Sequence, residues 1–135
     1  MTASRGAGRV YISHSHRDNE LVRDLARRLR DAGLKPVVDF AEVRAGTDWK
    51  KALREQIRDS EAVLKLVTPA ALSSAWAMAE LGMAEGFDRT VLPVTAGLKR
   101  SELPAPLRSY QVTPFDQVDD AINLLSERLT AAAKE

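Results

Sequence analysis

The chain has 135 residues, 44% apolar and 29% charged, which fits one folded domain and excludes both a disordered polypeptide and two ordinary domains. Twenty Lys and Arg against 19 Asp and Glu leave a net charge of +1, which argues against a dedicated nucleic-acid surface and against a polybasic membrane surface. No cysteine is present, so disulfides, zinc fingers, thiolate catalysis and iron–sulfur clusters are excluded together.

Met1 to Gly8 is small and polar, without the apolar core of a signal peptide, and reads as a flexible N-terminal segment ahead of one domain over residues 9–135. No apolar run approaches the roughly 18 residues of a membrane span. A cytoplasmic protein is the expectation.

Val10-Tyr11-Ile12-Ser13 is β-branched and aromatic and predicts a strand. Asp18 or Asn19 is placed to cap a helix bearing Leu21, Val22, Leu25, Ala26 and Leu29 on one face, with Arg23, Arg27, Arg28 and Arg30 opposite. Such an arginine cluster reads first as a solvated surface and second as a phosphate-binding face. Gly33 stands where a left-handed residue would end the helix.

Lys35-Pro36-Val37-Val38-Asp39 predicts a second strand, and its early proline suggests an edge or a strand start. Phe40 to Asp48 has loop character, with Gly46 free to adopt positive φ. A helix then runs from Thr47 or Asp48 through Ile57, with Trp49, Leu53 and Ile57 on one face. Ala62 to Val67 is nearly continuous apolar sequence, as in a central parallel strand. Lys65 interrupts it, and sequence alone offers no reason for that charge.

Thr68-Pro69 stops the strand, and Ser73 or Ser74 is placed to cap a helix from Ala75 to about Phe87. Thr90 to Val94 is a fourth strand, Gly97 to Leu107 a loop or a short helical turn, and Tyr110 to Thr113 a fifth strand. Val118, Ile122, Leu125 and Leu129 mark a last amphipathic helix. Alternating strands and helices specify a flavodoxin-like open parallel sheet with five strands and helices on both faces. Ligands of such folds occupy the crevice beyond the carboxyl ends of the strands.

The dinucleotide-fold, Walker and nucleophile-elbow glycine motifs are all absent, and Thr68-Pro69 occupies the place where a receiver domain needs an aspartate. His14 and His16 are the only histidines and lack the further ligands of a metal site. A pair lining the crevice mouth, or plain turn residues, are the better readings.

The segment Ser74-Ala75-Trp76-Ala77-Met78-Ala79-Glu80 is the informative one. Trp76 and Glu80 are one helical turn apart and share a face, with Ser74 at its N-terminal end. Ala77, Met83 and Ala84 make the surroundings of Glu80 apolar, where a carboxylate costs stability unless it is paired or used. A solvated carboxylate at the boundary of that face is an equal alternative from periodicity alone.

Three blocks in order resemble the Toll/interleukin-1 receptor (TIR) domain, from Arg9 to about Pro114. Val10 to Ser15 resembles the first box of the family. Asp39 to Gly46, followed by Trp49, resembles the second box and its long loop. Thr68 to Glu80 resembles the S-x-W-x-x-x-E block of TIR domains that cleave NAD. His14 replaces a common Tyr, Thr68 a common Ser, and Arg44-Ala45-Gly46 a proline-containing turn.

The resemblance implies an NAD nucleosidase whose products are nicotinamide and ADP-ribose or a cyclic ADP-ribose isomer. NAD is then substrate, and no cofactor or metal is implied. Glu80 matches the family's catalytic glutamate. Carried over by position, Ser74, Trp76, His14, Ser15, Phe40 and Arg44 would line the substrate. Asp39, Arg44, Ala45 and Gly46 would form a loop for TIR–TIR self-association, with a fused or separate sensor domain as a further partner. The excess of 14 Arg over 6 Lys suits a GC-rich bacterial genome, and so a role in bacterial immunity or signalling. The rival readings are a non-catalytic TIR–TIR adaptor and an enzyme akin to nucleoside deoxyribosyltransferases.

Overall fold

The computed structural model describes residues 8–38, 49–73, 86, 88–108 and 110–134. Five parallel strands form the sheet among them, in the order β2-β1-β3-β4-β5. The strands are β1 (Arg9–Ser13), β2 (Lys35–Val37), β3 (Ala62–Val67), β4 (Thr90–Thr95) and β5 (Thr113–Pro114). Between them lie helices α1 (Asn19–Asp31), α2 (Trp49–Arg58) and α3 (Pro69–Leu72), and a one-turn helix Ala105–Arg108. A C-terminal helix, Val118–Lys134, follows β5. The α/β sandwich inferred from sequence is therefore observed, with its strand order now fixed.

Successive side chains of a strand alternate between faces, which divides the core in two. Val10, Ile12, Leu64, Leu66 and Val94 point to one face. There they pack with Val22, Leu25 and Leu29 of α1 and with Val118, Ile122 and Leu125 of the C-terminal helix. On the other face Val67 packs with Leu103 and Leu107, with Val91 alongside. Right-handed crossovers require this division. The step from β1 to β2 runs opposite to the steps β2 to β3 and β4 to β5, so α1 lies on one side and α2 on the other. Arg9 Nη2 accordingly reaches Gln56 Oε1 of α2 at 3.3 Å from the second face.

Helix α1 ends as its sequence requires. Leu34 N donates to Leu29 O and Gly33 N to Arg30 O, both at 2.9 Å, with Gly33 at φ +85°. This double closure satisfies the last carbonyls and folds Leu34 back onto Leu29 in the core. Arg23, Arg27 and Arg30 of α1 are exposed, and Arg27 and Arg28 form ion pairs. Arg27 pairs with Asp24 and Asp31. Arg28 holds Asp24 on its own helix and both carboxylate oxygens of Asp119 at 2.8 Å, joining α1 to the C-terminal helix. Its guanidinium also lies 5.5 Å from the Phe115 ring centroid.

Three boundaries differ from expectation. The second strand closes at Val37, with Val38 already outside it. The fifth strand is Thr113–Pro114 and not Tyr110 to Thr113; it pairs only with Val94 and Thr95, because Pro114 has no amide to carry the ladder further. The chain also turns helical directly after β3, where Thr68 acts as N-cap and Pro69 as first residue of α3, ahead of the expected caps Ser73 and Ser74. The helix expected from Ala75 lies outside the described residues, apart from Gly86.

Candidate functional site

The strand order creates one topological switch point. From β1 the chain crosses to β2 on one side, then returns to β3 on the other, so a crevice opens beyond the carboxyl ends of β1 and β3. Ser13 pairs in register with Lys65, and both side chains share the face that carries α2. Lys65 is only 1% exposed, and its Nζ donates to Ser13 Oγ at 3.0 Å. A hydrogen bond from a charged donor at this depth is stronger than one between neutral groups.

Beyond Ser13 the chain leaves the sheet through His14 and Ser15. His14 is 5% exposed, and its Nδ1 lies 3.2 Å from Ile12 O. A carbonyl only accepts, so this contact places the ring proton on Nδ1. Ser15 caps the short helical turn His16–Asp18, its Oγ accepting from Arg17 N at 3.3 Å. Of the two expected caps, Asp18 or Asn19, it is Asp18 that occupies the N-cap position of α1, but without a capping hydrogen bond. Its carboxylate is engaged elsewhere, accepting from Thr68 Oγ1 at 2.5 Å.

Thr68 is buried and uses its hydroxyl twice, donating to Asp18 and accepting from Ala71 N at 3.0 Å. The end of β4 supplies a further wall. Ala96 N donates to Val67 O at 3.0 Å, and Gly97 turns away at φ +72°. A Cβ on Gly97 would stand 3.7 Å from Pro69 Cδ, so that turn packs against the start of α3. The crevice is thus bordered by Ser13 to Asp18, by Lys65 to Pro69 and by Thr95 to Gly97.

Of the residues expected at the site, His14 and Ser15 fall at the end of β1 and flank this crevice. Asp39, Phe40, Arg44, Ala45, Gly46, Ser74, Trp76 and Glu80 lie outside the described residues. Ser13, Asp18, Lys65 and Thr68 were not among the expected site residues. The signal for Lys65 was its charge within an apolar run. For Thr68 it was the Thr-Pro pair, an N-cap followed by proline at the first helical position. Among the described residues no group of three or more His, Cys, Asp or Glu is placed to hold a metal ion.

The family model for the TIR domain matches residues 10–129. The chain belongs to the TIR domain family. It is 24% identical over 110 residues to the probable 2′ cyclic ADP-D-ribose synthase BdTIR of Brachypodium distachyon, covering 78% of this chain and 49% of the plant protein. The chain therefore spans about half the length of the curated relative it matches.

Solved TIR structures share its fold. The TIR domain of the Toll-related receptor TRR-2 from Hydra magnipapillata superposes with a TM-score of 0.69 at 17% identity, over 93% of this chain and 98% of that one. A metazoan TIR-STING receptor from C. gigas does so with a TM-score of 0.71 at 23% identity, over 87% of this chain and 38% of the receptor. No helix among the described residues of this TIR domain is long and apolar enough to cross a membrane.

Proposed function

We propose that this TIR domain cleaves the N-glycosidic bond of NAD, releasing nicotinamide and either ADP-ribose or a cyclic isomer of it. The observation that carries the reading is the segment Ser74-x-Trp76-x-x-x-Glu80, placed in sequence just after β3 leaves the switch point at Thr68. Two further facts support it. The crevice lies where open α/β sheets hold nucleotides, and the relative BdTIR is named as a probable cyclic ADP-ribose synthase.

The chemistry requires little of the protein. Nicotinamide is a cationic substituent that departs as a neutral molecule, taking the electron pair of the broken bond onto its ring nitrogen. Such a leaving group needs no general acid, so a single carboxylate suffices where ordinary glycosidases use two. In this reading Glu80, ionised, stabilises the oxocarbenium-like ribose and orients its hydroxyls. Water then attacks the anomeric carbon to give ADP-ribose, or a hydroxyl of the same molecule attacks to give a cyclic product.

Trp76 walls the ribose against stray water, and His14 and Ser15 line the opposite side. Phe40 stacks on a ring, and Arg44 with the backbone N–H groups near Ser74 receives the pyrophosphate. Self-association through the loop from Asp39 to Asp48 completes the pocket, and the output serves defence or signalling.

Purified protein is incubated with NAD and free nicotinamide is followed by chromatography, beside Glu80→Gln and Glu80→Ala. Release by the wild type and its loss in both variants, with unchanged circular dichroism, is the expected result. Wild-type protein that releases none, even when concentrated, overturns the enzymatic reading in favour of an assembly module. Turnover of nucleosides without turnover of NAD would favour a nucleoside glycosidase instead.

A further inference from the structure

Lys65 breaks the pattern of its strand. Every residue of β3 is buried, and all but this one are apolar. A buried charged residue together with its partners is commonly no more stabilising than apolar residues of the same volume, so stability alone does not explain a lysine here. Departures of this kind concentrate where a protein does its chemistry. The location agrees, because Lys65 stands near the carboxyl end of the central strand, at the switch point between β1 and β3.

We propose that Lys65 is a positioning residue for the NAD cleavage proposed above, on which this assignment rests. By donating to Ser13 Oγ, its ammonium fixes the last side chain of β1 against β3. The next two residues, His14 and Ser15, are the near wall of the crevice, and their backbone departs from the point that Lys65 holds. The 52-residue separation of Ser13 and Lys65 makes this tie a feature of the assembled sheet and not of local turn geometry. Small misplacements of such a wall reduce rates steeply, by up to about a hundredfold for an ångström.

The tie between Thr68 and Asp18 lies beside it, but Thr68 also caps α3. Lys65 lies within a strand and caps no helix. A shared phenotype at Lys65 and Ser13 is therefore the signature of positioning.

The test compares wild type, Lys65→Met, Ser13→Ala and the double variant for nicotinamide release and thermal midpoint. Lys65→Met is expected to lose kcat about tenfold to a hundredfold beyond any loss of folded fraction, while KM moves less than threefold. Ser13→Ala should lose kcat to a similar degree. The double variant should lose less than the product of the two single losses, because both remove the bond between Lys65 and Ser13.

Wild-type kcat in Lys65→Met overturns the assignment, as does a loss that merely follows the folded fraction. If Lys65→Met does not fold, Ser13→Ala decides alone, and an unchanged kcat there overturns it. Wild-type protein without any nicotinamide release overturns the NAD reading itself, and this assignment falls with it.

Discussion

The Thr68 hydroxyl donates to Asp18 Oδ2 across 50 residues of sequence, joining the turn that leaves β1 to the first helical turn after β3. Asp18 would ordinarily cap α1, and here the cap is given up for the cross-crevice bond. Each side of the crevice therefore holds the other in place. The arrangement makes the position sensitive to chemistry and not merely to size.

Thr68→Val keeps the shape of the side chain but removes its donor and its acceptor. It should lower unfolding free energy by about 2 kcal/mol, since the amide of Ala71 and the carboxylate of Asp18 both lose a partner. Thr68→Ser retains both bonds and should cost less than about 1 kcal/mol. Urea denaturation of the two variants measures the difference. Equal losses would show that the methyl group matters and the hydrogen bonds do not.

The end of α1 allows a cleaner backbone test. Gly33 has φ +85°, and a Cβ built there meets nothing within 4 Å. The cost of Gly33→Ala is then purely conformational, about 1 kcal/mol, with no packing term to confuse it. Gly33→Asn should recover part of that loss, because asparagine tolerates the left-handed region better than alanine. Thermal melts of the three proteins provide the ranking.

Acid should weaken the ion pairs that Asp24 makes along α1. The hydrogen bond from Arg28 is the chief cause holding the Asp24 carboxyl below its ordinary value of 3.8; partial burial opposes the shift, and Arg27 adds to it. A carboxylate with a depressed folded-state pKa adds stability above the ordinary value, and that increment is lost as pH falls through the depressed one. Asp24→Asn should therefore flatten the stability profile on the acid side of that value while changing its neutral plateau little, as expected of a partly exposed pair. Denaturation midpoints taken from neutral pH down into the acid limb decide it.

Catalysis that needs a second protomer has a concentration dependence. In the proposed reading the loop from Asp39 to Asp48 docks on a neighbour, so nicotinamide released per protomer should rise with protein concentration or with crowding agents. Gly46→Pro should suppress that rise without unfolding the domain. Specific activity held constant over a hundredfold dilution would instead identify a monomeric enzyme.

Much of this architecture was legible from periodicity. Ala62 to Val67 matches β3 at both ends, because a fully buried parallel strand announces itself as an unbroken apolar run. Gly33 marked the helix end because only a left-handed residue closes it without strain. The fifth strand was misplaced because two paired residues carry almost no pattern, and the apolar Val112 beside it packs with Leu103 and Leu107 against the sheet instead.

The site was harder to read. Ser13 and Lys65 become neighbours only through the register of β1 on β3, which no local window contains. Thr68 read as a stop signal because its partner Asp18 lies in an earlier unit of the chain. The motif over Val10 to Ser15 includes His14 and Ser15, which follow the last residue of β1, but gives no sign of the bond between Ser13 and Lys65.

Both ties across the crevice span about fifty residues, Ser13 to Lys65 and Asp18 to Thr68. During synthesis the ribosome must therefore have released β1, α1, β2, α2 and β3 before either can form. A nascent chain that stalls before β3 docks has helices and one parallel strand pair, yet neither tie of the crevice. Loop closure over that length also makes the crevice slow to assemble relative to its helices. The crevice is in this sense absent until about half of the chain has folded.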